Sequence, residues 1–382
     1  RPRAPRPTRP ALRCQTAPKA PKNRDPAAVR TRRPTGRGEQ RGPESHPEVG
    51  PLAIPEESGF SSETLLFDAT WTDETGQRST HALVTRFPPG EVLPVFPHYD
   101  LGAQARCMQL VADHTDVPVP TCRWLEEDDA HLGSSFLIMD RIDGRVPPDR
   151  MPYTFGSWLT DATEAERAQL EKSSVEVLAG IHTITPDRAD LSFLEVDADG
   201  DTPLRRHVND QYAYYEWARA GVRYSLVEDM LAWLEDHWPE SESSPVLGWG
   251  DARPGNILYA GFTPAGVLDW EMATVAPPEM DLGWMIFLHS FFQNLTEVME
   301  LPGLPGYFDR NRVCAIYEAA AGHSPRDIEW FEAYCALRHG IIMTRTSLVE
   351  EAEGRAEPPD DPNDRILHRV QLEAMLDGTY FT

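Results

Sequence analysis

The sequence predicts an α+β fold in which a small β-rich part precedes a larger helical one. Three observations carry that expectation. β-Branched and aromatic residues cluster between positions 61 and 87 and again at 136–139. From about residue 170 onward, apolar residues recur at helical spacing. The first 45 residues are rich in Arg and Pro and almost free of large apolar side chains.

That first stretch comes first in order. It holds eleven Arg and two Lys against three acids, so the formal net charge of −25 hides about +10 here and about −35 in the remainder. Such a segment cannot bury enough surface to offset its ordering entropy, which predicts a disordered basic tail over residues 1–50. A basic tail can bind nucleic acid or anionic lipid. It can equally be sequence upstream of the natural start, since the chain does not begin with Met. The second reading is preferred, so no specific nucleic-acid binding is expected.

Beyond the tail, Ser61–Asp68 and Thr80–Phe87 read as two strands joined by the polar run Thr72–Thr80, and Pro88-Pro89-Gly90 ends the second. A helix follows from about Leu101 to His114 and is stopped by Pro118 and Pro120. A strand pair is expected around the acidic turn Glu126–Asp129, and Phe136–Met139 reads as the last strand. Helical periodicity then marks Leu170–Ile181, Leu204–Ala220, Leu226–Trp238, Asn311–Ala321 and Asp327–Leu348. Trp284–Phe292 is apolar but too short for a membrane span, and reads as a core helix. Five scattered cysteines with no CxxC argue against a disulfide framework or zinc site and for a reducing, cytoplasmic setting. No membrane association is expected.

Chemistry concentrates between Trp249 and Trp284. Asp251 is followed five residues later by Asn256 and, thirteen further, by Asp269. Between the last two lie the apolar runs Ile257–Tyr259 and Val267-Leu268, split by Gly261, Pro264 and Gly266, which reads as a β-hairpin. Pairing the runs brings Asn256 and Asp269 together as hard oxygen ligands of the kind Mg²⁺ takes alongside phosphates and waters. Asp251, one loop upstream, is placed to accept a proton from an attacking hydroxyl. One such carboxylate and two metal ligands are what phosphoryl transfer asks of a protein.

The motif WGDARPGN, with Leu268-Asp269-Trp270-Glu271 and Asp281-Leu282-Gly283-Trp284, resembles the family of aminoglycoside phosphotransferases and choline kinases, a branch of the protein-kinase-like fold. That family's catalytic loop runs HGDxxxxN, and its metal loop carries an Asp followed by an aromatic. The resemblance implies a bilobal protein-kinase-like fold: an N-terminal nucleotide-binding lobe over 51–142 and a C-terminal catalytic and substrate-binding lobe over 143–382. It implies ATP and Mg²⁺, with Asp251 as catalytic base and Asn256 and Asp269 as metal ligands. Trp249 stands where the family has His, a residue that buttresses the metal loop, and a packed aromatic is expected to substitute. Arg253 is expected either to reach a phosphate or to steady Asp251.

In the small lobe the resemblance points to Glu57–Ser62 as the phosphate-covering turn, with Gly59, Ser61 and Ser62 offering backbone N–H groups. The family's third-strand cation is ordinarily Lys, but the only lysines here are Lys19, Lys22 and Lys172. Arg86 is its expected stand-in, with Thr85 in the inward position if the register differs by one. Gln104 aligns with the helical Glu that usually orients the cation. The hinge at Met139, Arg141 and Ile142 is expected to hold adenine through its backbone. His182 is read as a packing residue, and Asp281 as an N-cap or a brace for the catalytic loop. The expected reaction is phosphorylation of a small-molecule hydroxyl; the alternative is a non-catalytic nucleotide or metabolite binder. The acidic body would steer cationic acceptors inward. A branch of the family is associated with hydroxyacyl thioesters of coenzyme A, which would need a local basic patch.

Overall fold

The computed structural model describes residues 47–55, 63–73, 75–90 and 93–381. Gly59, Ser61 and Ser62, and the tail before residue 47, lie outside the described residues. The N-terminal part is a five-stranded antiparallel sheet ordered β1-β2-β3-β5-β4. Its strands are β1 (Glu48–Val49), β2 (Glu63–Thr72), β3 (Arg78–Phe87), β4 (Cys122–Glu126) and β5 (Phe136–Asp140). β2 and β3 run further than expected because their polar ends still pair, as in the 2.7 Å contact of the Thr70 and Thr80 hydroxyls. The turn between them is fixed by Asp73, whose carboxylate accepts from the Thr75 and Gln77 N–H groups at 2.9 and 3.0 Å.

Two expectations are corrected here. Glu48 and Val49, placed at the end of the tail, pair with Thr70 and Ala69 and extend the sheet. Around the acidic turn there is one strand, β4, rather than two. The loop 127–135 is too polar to pair and leads straight into β5.

Alternation along the strands separates two faces. Phe67, Ala69, Trp71, Leu83, Phe87, Phe136 and Ile138 close a small core on one of them. Leu137 and Met139, on the other, join the large core with helix α1 (Leu101–His114). The Asp100 carboxylate caps α1 by accepting the Ala103 N–H at 2.8 Å.

The C-terminal part is mainly helical: α2 (Glu164–Ile181), α3 (Pro203–Ala218), α4 (Ser225–Asp236), α5 (Glu279–Val298), α6 (Arg310–Ala321), α7 (Ile328–Ala352) and α8 (Arg369–Leu376). Start signals explain several boundaries. Thr163 and Glu166 form a capping box that begins α2 earlier than its apolar periodicity does. Thr202 caps α3, with Pro203 at the first helical position. Gly322 closes α6 in the left-handed region. α5 and α7 cross closely because Gly283 has no side chain: a Cβ there would sit 2.8 Å from the Phe331 backbone. α8 was not anticipated.

Two small ladders complete the fold, β6 (Val246–Gly248) with β9 (Thr274–Ala276) and β7 (Ile257–Ala260) with β8 (Thr263–Val267). The second is the expected hairpin, with a shorter loop because β8 begins at Thr263. Among the described residues no helix is long and apolar enough to cross a membrane. Cys107, Cys122, Cys314 and Cys335 are free.

Candidate active site

The β7–β8 hairpin juxtaposes Asn256 and Asp269 as the spacing predicts. Its ladder ends with the Leu268 N–H donating to the Asn256 carbonyl at 2.9 Å. Asn256 closes a single 3₁₀ turn over Pro254–Asn256 and is buried. Its Nδ2 donates to the Asp251 carboxylate at 2.6 Å and to the Asp251 carbonyl at 3.1 Å. The amide oxygen remains as the group available to a cation.

Asp251 is held by three donors. Asn256 reaches Oδ2, and the Trp284 indole reaches Oδ1 at 2.7 Å. Arg253 Nε is shared between the two oxygens at 2.9 and 3.0 Å. A carboxylate has about four lone-pair sites, and these contacts address two on each oxygen, so an incoming hydroxyl would have to share one of them. Of the two roles weighed for Arg253, steadying Asp251 is the one the geometry displays. Its other end pairs with Asp149. Burial opposes the guanidinium's charge, but Asp149 and Asp251 outweigh it and hold its pKa above the ordinary value.

The loop bearing Asp251 hangs from Asp281. This carboxylate, 1% exposed, accepts the Trp249 and Gly250 N–H groups at 2.7 and 2.8 Å and His182 Nε2 at 3.0 Å. Asp281 lies inside α5 beyond its Pro278 cap, so it is the brace and not the N-cap. His182 is structural as expected: its Nδ1 faces the Tyr317 hydroxyl at 2.9 Å. Gly250 has φ +91, and a Cβ there would run into the Met272 backbone, so only glycine fits between Trp249 and Asp251.

Trp249 is fully buried and does more than pack. Its indole N–H donates to the Leu268 and Asp269 carbonyls at 2.8 and 3.2 Å. The loop bearing Asp269 is therefore tied to the loop bearing Asp251 by hydrogen bonds from Trp249. Asp269 has φ +59, a left-handed conformation rare for a non-glycine residue and typical of strained functional positions.

Sheet alternation decides between Arg86 and Thr85. Arg86 pairs with Leu137 and shares the face of Met139, whereas Thr85 pairs with Ile138 and faces the small core. Arg86 is 8% exposed and donates from Nη2 to Asp269 Oδ1 at 3.0 Å. Burial disfavours its charge, but Asp269 and then Glu271 overcompensate and raise its pKa. Glu271 thus supplies counter-charge to Arg86, while Gln104 is neutral and buried.

The hinge residues stand apart from this cluster. Met139 is buried in the sheet, and the Arg141 guanidinium donates to Asp68 at 3.0 Å. Ile142 packs against Gly266 of β8. Arg145 exchanges two backbone hydrogen bonds with Tyr259, fastening the connection between sheet and helices to β7.

Sequence reasoning missed three residues of the site. Trp284 was quoted within its motif without its donor role, and Glu271 sits two residues beyond Asp269, which was a usable signal. Asp149, 104 residues from its partner Arg253, gave none. Among the described residues no three His, Cys, Asp or Glu side chains converge on one point. Asn256 and Asp269 offer oxygen ligands of the kind Mg²⁺ takes, and the rest of its shell would come from phosphates and water.

Comparison with known proteins bears on the fold and the family. The chain spans about a third of the length of the curated relatives it matches. Acyl-CoA dehydrogenase family member 11 of Mus musculus is 25% identical over 263 residues, 66% of this chain and 32% of that protein. Its Gallus gallus counterpart is 28% identical over 171 residues, 44% of this chain and 20% of that protein. Among solved structures, a candidate aminoglycoside phosphotransferase from Ralstonia eutropha JMP134 superposes with a TM-score of 0.62 at 20% identity, covering 87% of this chain and 93% of that one. The GDP complex of wild-type aminoglycoside 2′-phosphotransferase-IIIa gives 0.50 at 15% identity, covering 87% and 94%. These likenesses show the kinase-like fold. Because the model of the phosphotransferase enzyme family also matches residues 58–316, well over half of its length, the chain belongs to that family.

Proposed function

We propose that this protein transfers the γ-phosphoryl group of ATP to a hydroxyl of a small molecule, in a Mg²⁺-dependent reaction. The observation that carries the reading is the Asp251 carboxylate, oriented by Trp284, Arg253 and Asn256 beside a strained Asp269. The proposed Asp251 role is to accept the proton of the acceptor hydroxyl. The acceptor oxygen forms a new P–O bond as the bond to the β-phosphate bridging oxygen breaks, and ADP leaves with that electron pair. Asn256 and Asp269 would hold Mg²⁺, which when bound neutralises charge on the β- and γ-oxygens. Arg86 is the proposed partner of the α- and β-phosphates, exchanging part of its contact with Asp269 for theirs. The backbone of Met139–Ile142 is the proposed adenine support. The GDP-bound neighbour supports a nucleotide donor, and the four free cysteines among the described residues support a cytoplasmic setting.

The test is Asp251→Asn, which is nearly isosteric but a far poorer proton acceptor. Loss of a general base lowers kcat by about 10²–10⁴-fold, read by phosphorus NMR of phosphate transfer, with Mg·ATP affinity little changed. Unchanged turnover removes Asp251 as the base. ATP binding by the parent without turnover on any acceptor returns the non-catalytic reading.

A further inference from the structure

Helix α7 carries two charges that the proposed mechanism does not use. Arg338 is 3% exposed, and its Nε and Nη1 are buried without a hydrogen-bond partner. Arg345, seven residues on and hence on the same helical face, is 6% exposed. Its Nε donates to the Pro94 carbonyl at 2.7 Å, and its guanidinium lies 4.2 Å over the Trp217 ring. Among the described residues neither makes an ion pair. Arg86, Arg253 and Arg365, the other arginines with deeply placed side chains, each meet a carboxylate.

The surroundings of Arg338 supply no substitute. Its guanidinium lies 4.9 Å over the Trp284 ring and 5.9 Å over the Tyr334 ring, Asp210 on α3 is felt through space, His207 is pushed toward its neutral form by burial and by Arg338, and the Cys335 thiol is a further polar neighbour; none of these is a directly paired anion. Aromatic faces and a carboxylate at a distance compensate a buried guanidinium only in part, and its unpartnered Nε and Nη1 are groups that a ligand oxyanion would satisfy. Its position says which ligand. Arg338 lies 4.9 Å from the centre of the Trp284 ring, whose indole N–H holds Asp251. Tyr214 of α3 lies within electrostatic reach of Arg338, Arg345 and Glu271 together. The two arginines therefore approach the site from the helical side, opposite Arg86 on the sheet.

We propose that Arg338, seconded by Arg345, forms a subsite for an oxyanion, a carboxylate or phosphate, carried by the acceptor that presents its hydroxyl to Asp251. The word acceptor rests on the phosphoryl-transfer reading; the anion site itself does not. The acidic body does not contradict it, because long-range fields are screened within about 8 Å at physiological salt and the local pair decides contact.

The full chain is titrated calorimetrically and by thermal shift with a matched series: glycerol, glycerate, glycerol 3-phosphate, inorganic phosphate and choline. At least one of the anionic alcohols should bind and raise the melting temperature with concentration, while glycerol and choline should not. Whichever of glycerate and glycerol 3-phosphate binds more tightly identifies the group as carboxylate or phosphate. Arg338→Met should cost tenfold or more in anion affinity, leave Mg·ATP binding unchanged and leave the unliganded melting temperature equal or higher. Arg338→Lys, which keeps the charge, should fold in any case and lose less. Arg345→Met should weaken binding by a smaller factor.

Anion binding that is absent, or unaltered in both Arg338 variants, overturns the subsite, as does preference for choline. ATP binding without anion preference sinks only this inference. Arg338-dependent anion binding without any transfer sinks the kinase reading and leaves the subsite standing.

Discussion

Asp251 and Asp269 belong to the same site but are held in opposite ways. Asp251 takes its three donors from Arg253, Asn256 and Trp284, all in the helical part, and its loop hangs from a fully buried carboxylate at Asp281. Asp269 sits in a strained conformation, and its side chain is met by Arg86 from the sheet, 183 residues away in sequence. The group proposed to handle the proton is thus set by its own lobe. The side chain of the group proposed to handle the metal is met instead from the other part of the molecule, by Arg86. Preorganisation matters most where charge develops during reaction, whereas a nucleotide must enter and leave.

The largest effect that sharpens this contrast is acid. His289 and His368 are buried, and burial lowers their pKa from the ordinary 6.5 to about 4. His207 and His339 are lowered as well, and all four lie in the helical part. Each is neutral when folded and protonates near 6.5 when unfolded, so stability is full above about pH 6.5 and is lost as pH falls toward 4. At about 1.4 kcal/mol per pH unit for each histidine, His289 and His368 alone give a slope near 2.8 kcal/mol per pH unit. Urea unfolding between pH 7 and 4.5 should show that decline; a flat profile would mean that these histidines are solvated.

Next in size is Asp281→Ala. It strands the Trp249 and Gly250 N–H groups and the His182 Nε2 donor in the interior. Breaking such a buried charged network costs about 3–5 kcal/mol. Activity should vanish together with stability. A variant that melts like the parent would show that the loop is held by packing alone.

Much of this was legible beforehand because it is local. Helix α1 was placed at its observed ends, since Asp100 and the prolines after it are signals within a few residues. The hairpin joining Asn256 to Asp269 follows from turn residues between two short apolar runs. α8 was not legible, because only eight residues long it shows too little periodicity. Neither the Asp149–Arg253 pair nor the donor role of Trp284 has a local signature; both exist only once α5 and the loop before α2 are folded against the catalytic loop. The small-residue turn at 57–62 lies outside the described residues, so its proposed role rests on resemblance.

Arg86→Met probes the adjustable half of the contrast. Asp269 keeps partial access to water, with its side chain 22% exposed, so stability should move by no more than about 1 kcal/mol. Mg·ATP affinity should fall by about 10–100-fold, the value of one charge-assisted contact, measured by calorimetry. Affinity equal to the parent's would place the phosphates away from Arg86.

The smallest predicted effect belongs to Trp249→Phe, which keeps a buried ring but removes the indole donor. The Leu268 carbonyl loses a 2.8 Å hydrogen bond and the Asp269 carbonyl a 3.2 Å one. An unmade buried bond of this kind costs about 1 kcal/mol or a little more, so a modest fall in the unfolding midpoint is expected. The informative readout is the split between binding and turnover. If the indole fixes the metal loop relative to Asp251, Mg·ATP affinity should fall several-fold while the Asp251-dependent step changes little. Trp249→His restores a donor at the same place and should recover part of the loss. Full affinity in Trp249→Phe with a lowered midpoint would make Trp249 a packing residue only, and the strained backbone of Asp269 would then have to be held by the β7–β8 ladder alone.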